Sequence, residues 1–139
     1  MNYQQAVEFL YAQLPMYQRV GAMAFKKDLT NTLALCGRLG NPHRNLKFVH
    51  VAGTNGKGSS SHMLAAVFQS AGYRTGLYTS PHLKSFTERI KVNGTEVSQG
   101  FVLRFTERAI DWIAEIRPSF FELTVAMALE YFAEQKVDI

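Results

Sequence analysis

Residues 46–60 read Leu46-Lys47-Phe48-Val49-His50-Val51-Ala52-Gly53-Thr54-Asn55-Gly56-Lys57-Gly58-Ser59-Ser60. A mostly apolar run passes directly into a glycine-rich loop and then into a helix-compatible stretch. Strand, glycine loop and helix form the first half of a βαβ unit. The expectation is a strand over Leu46–Ala52, a loop that cradles phosphate, and a helix from Ser59 to about Ser70. Glycines let backbone N–H groups approach an anion with no Cβ in the way, and a helix start offers N–H groups that lack partners. Thr54, Asn55, Gly56, Lys57, Gly58 and Ser59 are therefore candidate nucleotide contacts. Lys57 is the candidate catalytic residue, a point charge against the terminal phosphates.

The strict pattern for such a loop is glycine, four residues, then Gly-Lys-Ser/Thr, whose hydroxyl binds magnesium. Here Val51 stands where the pattern opens on glycine, and Gly58 stands where it wants the hydroxyl. A plain glycine turn between strand and helix is the alternative reading.

Outward from the loop, Arg74-Thr75-Gly76-Leu77-Tyr78-Thr79 is expected to be a second, parallel strand, with the intervening helix as a right-handed crossover. Ile90–Val97 is expected to be a hairpin, because Asn93-Gly94 supplies the positive φ angles of a two-residue turn. Apolar side chains at three-to-four spacing predict a helix over residues 3–14, stopped near Pro15. They predict another over Lys27–Leu39, with Leu29, Leu33, Leu35 and Cys36 as its apolar face and Gly40-Asn41-Pro42 as its end. A long helix over Gln99–Ile116 should stop before Arg117-Pro118. A last helix, Ser119–Gln135, leads into Val137-Asp138-Ile139, read as the start of a strand. The fold class is α/β: a P-loop-type parallel sheet flanked by helices, incomplete at the carboxyl end because such sheets usually have about five or more strands.

With 139 residues and 47% hydrophobic content, the chain can bury one ordinary core. The formal charge is +4, but the cations are scattered singly and in pairs, which argues against a nucleic-acid stripe. No run of about 18 apolar residues would span a membrane. The start Met1-Asn2-Tyr3-Gln4-Gln5 lacks the plan of a secretory signal. A soluble, cytoplasmic protein is expected. The single cysteine, Cys36, is expected to be a buried thiol. His43, His50, His62 and His82 show no metal-ligand spacing, so zinc is not expected.

The phrase Gly53-Thr54-Asn55-Gly56-Lys57-Gly58-Ser59 resembles the ATP loop of the Mur ligase superfamily, and in particular the folylpolyglutamate synthase and dihydrofolate synthase branch. The likeness continues through Ala71-Gly72-Tyr73, Tyr78-Thr79-Ser80-Pro81-His82-Leu83, Glu88-Arg89-Ile90 and Phe120-Phe121-Glu122-Leu123-Thr124, in the family's order. It implies an amino-terminal portion of the ATP-binding domain over 1–139, with a carboxyl-terminal glutamate-binding domain absent. It also implies magnesium ligands to replace the missing loop hydroxyl. Ser80, at the carboxyl end of the second strand, is one candidate, against a simple turn serine. Glu122 is the other, although Ser119-x-x-Glu122 also fits a helix capping box. Tyr78, His82, Lys84 and Arg89 lie nearby, with solvated charges expected for Lys84 and Arg89. Where the family often has a Gly-Leu-Glu-Arg-like phrase beside the folate pocket, this chain reads Arg19-Val20-Gly21-Ala22-Met23-Ala24-Phe25-Lys26, so no pterin contacts carry over.

The resemblance implies an ATP- and magnesium-dependent ligase that activates a carboxylate of dihydropteroate or a folate as an acyl phosphate and joins it to L-glutamate. The whole ligase is expected to be a monomer, with no nucleic acid or membrane partner. The 139 residues alone are expected to be inactive, and to be either a truncated product or a fragment that covers its open sheet edge by pairing with another copy. Two alternatives stay open. A peptidoglycan-type Mur ligase uses the same chemistry, but its loop continues Gly-Lys-Thr/Ser. A non-ligase P-loop ATPase would use the basic balance as a footprint.

Overall fold

In a computed structural model of the chain, the structure describes residues 1–14 and 28–139. The expected stop at Pro15, the start at Lys27 and the segment Arg19–Lys26 lie outside the described residues. Helix α1, Tyr3–Tyr11, opens on a full capping box between Asn2 and Gln5 and buries Ala6 and Leu10, four residues apart on one face. Helix α2, Thr30–Arg38, buries Asn31, Leu35 and Cys36. Leu29 and Leu33, expected on that face, are exposed. Leu29 and Leu33 form one i,i+4 row and Asn31 and Leu35 another, about 200° round the helix, and only the second row faces the core. Gly40 and Asn41 take positive φ and end the helix, and Pro42 starts a 3₁₀ turn, Pro42–Asn45.

Residues 46–52, expected as a parallel strand, have no ladder partner among the described residues, and Phe48 and Val49 are exposed. Helix α3, Lys57–Ser70, starts two residues before its expected place and has no buried residue. The sheet is antiparallel, in the order β1–β2–β3. Strand β1, Gly76–Tyr78, pairs with β2, Ile90–Val92, and β2 turns through Asn93 and Gly94 into β3, Thr95–Glu96. The hairpin stands as read. The parallel pairing of 46–52 with 74–79 does not form, because strand character needs a neighbour and β1 spends one edge on β2. Its other edge faces the chain end: the Asp138 N–H donates to Arg74 O at 2.7 Å and the Gly76 N–H to Ile139 O at 2.9 Å. Numbering rises on both sides, so the chain end runs parallel to β1, but Val137-Asp138-Ile139, read as the start of a strand, is not part of the three-stranded sheet.

Helix α4, Gln99–Ile116, is capped by Ser98 and ends at Arg117 in the left-handed region, just before Pro118. Helix α5, Phe120–Glu134, starts on the Ser119/Glu122 capping box. It lies so close to β1 that a Cβ on Gly76 would sit 2.8 Å from the Phe132 ring. The core gathers Leu10, Leu35, Phe86, Ile90, Phe105, Leu123 and Met127 between α1, α2, α4, α5 and the β2 hairpin. No described helix is long and apolar enough to cross a membrane.

Candidate nucleotide and metal site

The candidate phosphate loop is held by one glycine and by the start of α3. Gly56 is the N-cap and takes φ 73°, a left-handed conformation that costs glycine nothing. The first helical bond runs from Ser60 N–H to Gly56 O. The N–H groups of Lys57, Gly58 and Ser59 therefore precede the helical ladder and point along the axis toward the loop, where the helix dipole favours an anion. The carbonyls of that turn are used instead: the Ser61 hydroxyl donates to Lys57 O at 2.7 Å, and His62 Nδ1 lies 2.8 Å from Gly58 O. Ala52 through Ser60 are all exposed, so a ligand can reach every one of them.

Ser80 and Glu122 stand on two elements that a hydrogen bond ties together. The Thr124 hydroxyl donates to Phe121 O at 3.0 Å, which leaves its oxygen to accept from the Tyr78 hydroxyl 2.7 Å away. That bond locks the end of β1 to the first turn of α5, and the Tyr78 and Phe121 rings meet edge to face. Ser80 lies two residues beyond Tyr78, and Glu122 two before Thr124. Glu122 Oε2 accepts from the Ser119 N–H at 2.8 Å and from Asn31 Nδ2 at 3.2 Å. The capping box is formed, on one carboxylate oxygen. A carboxylate has about four acceptor sites, so a cap does not exhaust it. Ser80 Oγ likewise accepts once, from Arg89 Nη1 at 2.9 Å. The two side chains offer hard oxygen donors with lone pairs to spare, which suits magnesium completed by water and phosphate. No group of three or more His, Cys, Asp or Glu gathers among the described residues, so these two would be a partial ligand set.

Arg89 corrects the reading from sequence. Expected as a solvated charge, it is only 6% exposed. Its Nε donates to His82 Nδ1 at 2.8 Å, and its guanidinium lies 5.0 Å from the Phe120 ring centroid. His82 Nε2 is 2.7 Å from the Tyr11 hydroxyl, and Tyr11 stacks on Phe120. Burial, and then the Arg89 charge, push the His82 pKa down, with Glu88 pulling the other way. Burial raises Tyr78 and Tyr11. A local signal for this cluster was present in Ser85-x-x-Glu88, a capping box that forms here and turns the chain sharply into Arg89. Lys84 is exposed, as expected.

No family model matches the chain. A dihydrofolate synthase/folylpolyglutamate synthase of Bacillus subtilis is 36% identical over 143 residues, which is 98% of this chain and 32% of that protein. The crystal structure of a folylpolyglutamate synthase from Thermotoga maritima is 38% identical, covers 99% of this chain and 31% of its own, and superposes with a TM-score of 0.85. A folylpolyglutamate synthase complex with AMPPCP and folate is 30% identical over 99% of this chain and 34% of its own, with a TM-score of 0.81. The chain spans between 16% and 32% of the length of curated relatives it matches. The short antiparallel sheet and its helices thus superpose on a third of these α/β ligases.

Proposed function

The chain belongs to the folylpolyglutamate synthase and dihydrofolate synthase family, and from that premise we propose that it is the amino-terminal portion of the ATP-binding domain of a ligase joining L-glutamate to folate or dihydropteroate. The observation that carries the reading is the start of α3. Three successive N–H groups without helical partners, the Gly56 cap and the exposed Lys57 stand together where phosphate oxygens can reach all of them. The binding of AMPPCP, an ATP analogue, by a solved relative supports the same choice of ligand.

The chemistry follows from the substrates. A carboxylate oxygen is a hopeless leaving group, so an amine cannot displace it directly. Transfer of the γ-phosphoryl group to the carboxylate breaks the bond to ADP and makes an acyl phosphate. The glutamate amine then attacks that carbonyl, and phosphate leaves. Positioning and charge neutralisation supply most of the acceleration. Lys57 and the N–H groups of Gly56 to Ser59 would hold the β and γ phosphates. Ser80 and Glu122 would hold magnesium, which when bound neutralises phosphate charge as a Lewis acid.

The test is to graft the 139 residues in place of the matching segment of the Bacillus subtilis relative and assay ATP-dependent attachment of glutamate. Dihydropteroate and a reduced folate monoglutamate are offered separately. Activity lost on Lys57→Ala is the expected result; unchanged turnover in that variant would refute the loop assignment. The ungrafted chain is expected to be inactive.

A further inference from the structure

Arg89 is a buried cation with no carboxylate in ion-pair reach among the described residues, where the ion pairs are Met1 with Glu107, Arg38 with Glu115 and Arg108 with Glu130. Burying an unpaired charge is costly, so the fold must use its hydrogen bonds or its fixed orientation. Both are evident. The Nε and Nη1 edges of the planar fork reach two different groups, His82 Nδ1 and Ser80 Oγ, while its face lies against Phe120 and Phe86. A guanidinium can only donate, which settles the rest of the network. His82 Nδ1 must accept, so its proton sits on Nε2 and goes to the Tyr11 hydroxyl. Ser80 Oγ must also accept, so one of its lone pairs is committed and its rotamer is set.

We propose that Arg89 is a positioning residue: clamped by His82 and the Phe120 ring, it fixes the Ser80 hydroxyl so that the remaining lone pair faces a metal–nucleotide bound beside Glu122. This rests on Ser80 being a magnesium ligand. An ordinary turn serine would leave Arg89 without this task. Groups that orient a metal ligand typically change metal affinity by about 10–100-fold when lost. A lysine keeps the charge but not the fork, so it cannot hold two acceptors in one plane.

The experiment uses the 139-residue chain, ATP, and Mn²⁺ as a paramagnetic probe in place of Mg²⁺, with free Mn²⁺ read by electron paramagnetic resonance. Ser80→Ala and Arg89→Lys should each weaken Mn–ATP binding about tenfold, with metal-free ATP binding in EDTA unmoved. His82→Leu, at a half-exposed position, should weaken it less by freeing the fork. A Ser80→Ala variant without effect refutes the ligand reading and takes the inference with it. If Ser80→Ala acts while Arg89→Lys and His82→Leu do not, the ligand reading stands and the inference is overturned. Equal losses of metal-free ATP and Mn–ATP in Arg89→Lys would make Arg89 a direct anion contact, which also overturns it. A wild-type chain that takes up no Mn–ATP sinks both. Without nucleotide, ¹⁵N NMR should show His82 Nδ1 unprotonated in the wild type and mixed tautomers in Arg89→Lys; a protonated Nδ1 in the wild type overturns the inference outright.

Discussion

Between Pro42 and Thr75 no residue is buried, whereas α4 and α5 alone bury Phe101, Val102, Phe105, Ala109, Leu123, Ala126 and Met127. The glycine loop and its helix belong to the first region; the Ser80–Arg89 pair and Glu122, on the two elements that Tyr78 and Thr124 tie together, sit on the rim of the second. The stretch that carries the most specific functional motif contributes least to folding. Helix α3, with 14 residues and none of them fully buried, its inner stripe of Leu64, Ala65 and Phe68 being only half-buried, has little tertiary packing to support it. Isolated helices of that length are marginal in water. The segment that carries Ser80 and Arg89, and the first turn of α5 that carries Glu122, are by contrast ordered by contacts the core makes in any case.

The sharpest way to break that comparison is to cut both regions equally. Phe105→Ala, in the centre of the core, should cost about 3–5 kcal/mol of unfolding free energy. Val67→Ala, on the exposed face of α3, should stay within about 0.5 kcal/mol. Urea denaturation followed by circular dichroism measures both. A Val67→Ala loss approaching that of Phe105→Ala would show that α3 is covered in solution, as self-association through this face would require.

Lys57→Ala comes next. The charge-assisted contact it removes is worth about 1.5–3 kcal/mol of nucleotide affinity, while the urea midpoint should hold, since the side chain is exposed. Calorimetric titration with Mg–ATP reads the first quantity. Unchanged affinity would return the loop to a plain glycine turn.

A third test lies on the rim, where fold and function share one side chain. Ser119→Ala removes the cap of α5 and should cost about 1 kcal/mol. Glu122→Gln keeps a residue type able to complete the box, so its stability cost should be smaller, yet it discards the carboxylate charge a cation needs. Glu122→Gln should therefore raise the magnesium concentration needed for nucleotide binding while barely moving the melting temperature. The reverse pattern would leave Glu122 as a cap and nothing more.

What could be read from the chain divides along the same line. Asn93-Gly94, Gly40-Asn41-Pro42 and Ser119-x-x-Glu122 are instructions executed within a few residues and appear where the sequence places them, while the helix after Gly56 starts two residues early. Strand character over 46–52 is a property of a neighbour, and the sequence of the run cannot supply one. The burial of Arg89 needs Phe120, 31 positions away, to arrive over its guanidinium. The choice between the Leu33 and Leu35 rows of α2 likewise depends on which face α5 meets. Local chemistry was legible, and long-range partnership was not.

The smallest expected effect tests whether the turn leading into Arg89 belongs to the ordered region. The Glu88 carboxylate accepts the N–H groups of Ser85 at 2.7 Å, Leu83 at 3.0 Å and Lys84 at 3.0 Å. These bonds, the one from Ser85 first, hold its pKa below the ordinary value of 4.5 against a lesser opposing effect of burial. The folded state thus binds a proton less readily than the unfolded chain. The contribution is complete above the unfolded value and is lost as pH falls from about 4.5 through the folded value. Glu88→Gln keeps an acceptor but no charge, so it should be slightly less stable than the wild type at pH near 7 and indistinguishable from it at strongly acid pH. Because the side chain lies at the surface, solvent screens the effect, and the two urea midpoints should converge rather than cross. A gap that persists unchanged into acid would mean that the carboxylate charge does nothing for the turn, and that Arg89 is aimed by Phe120 and His82 alone.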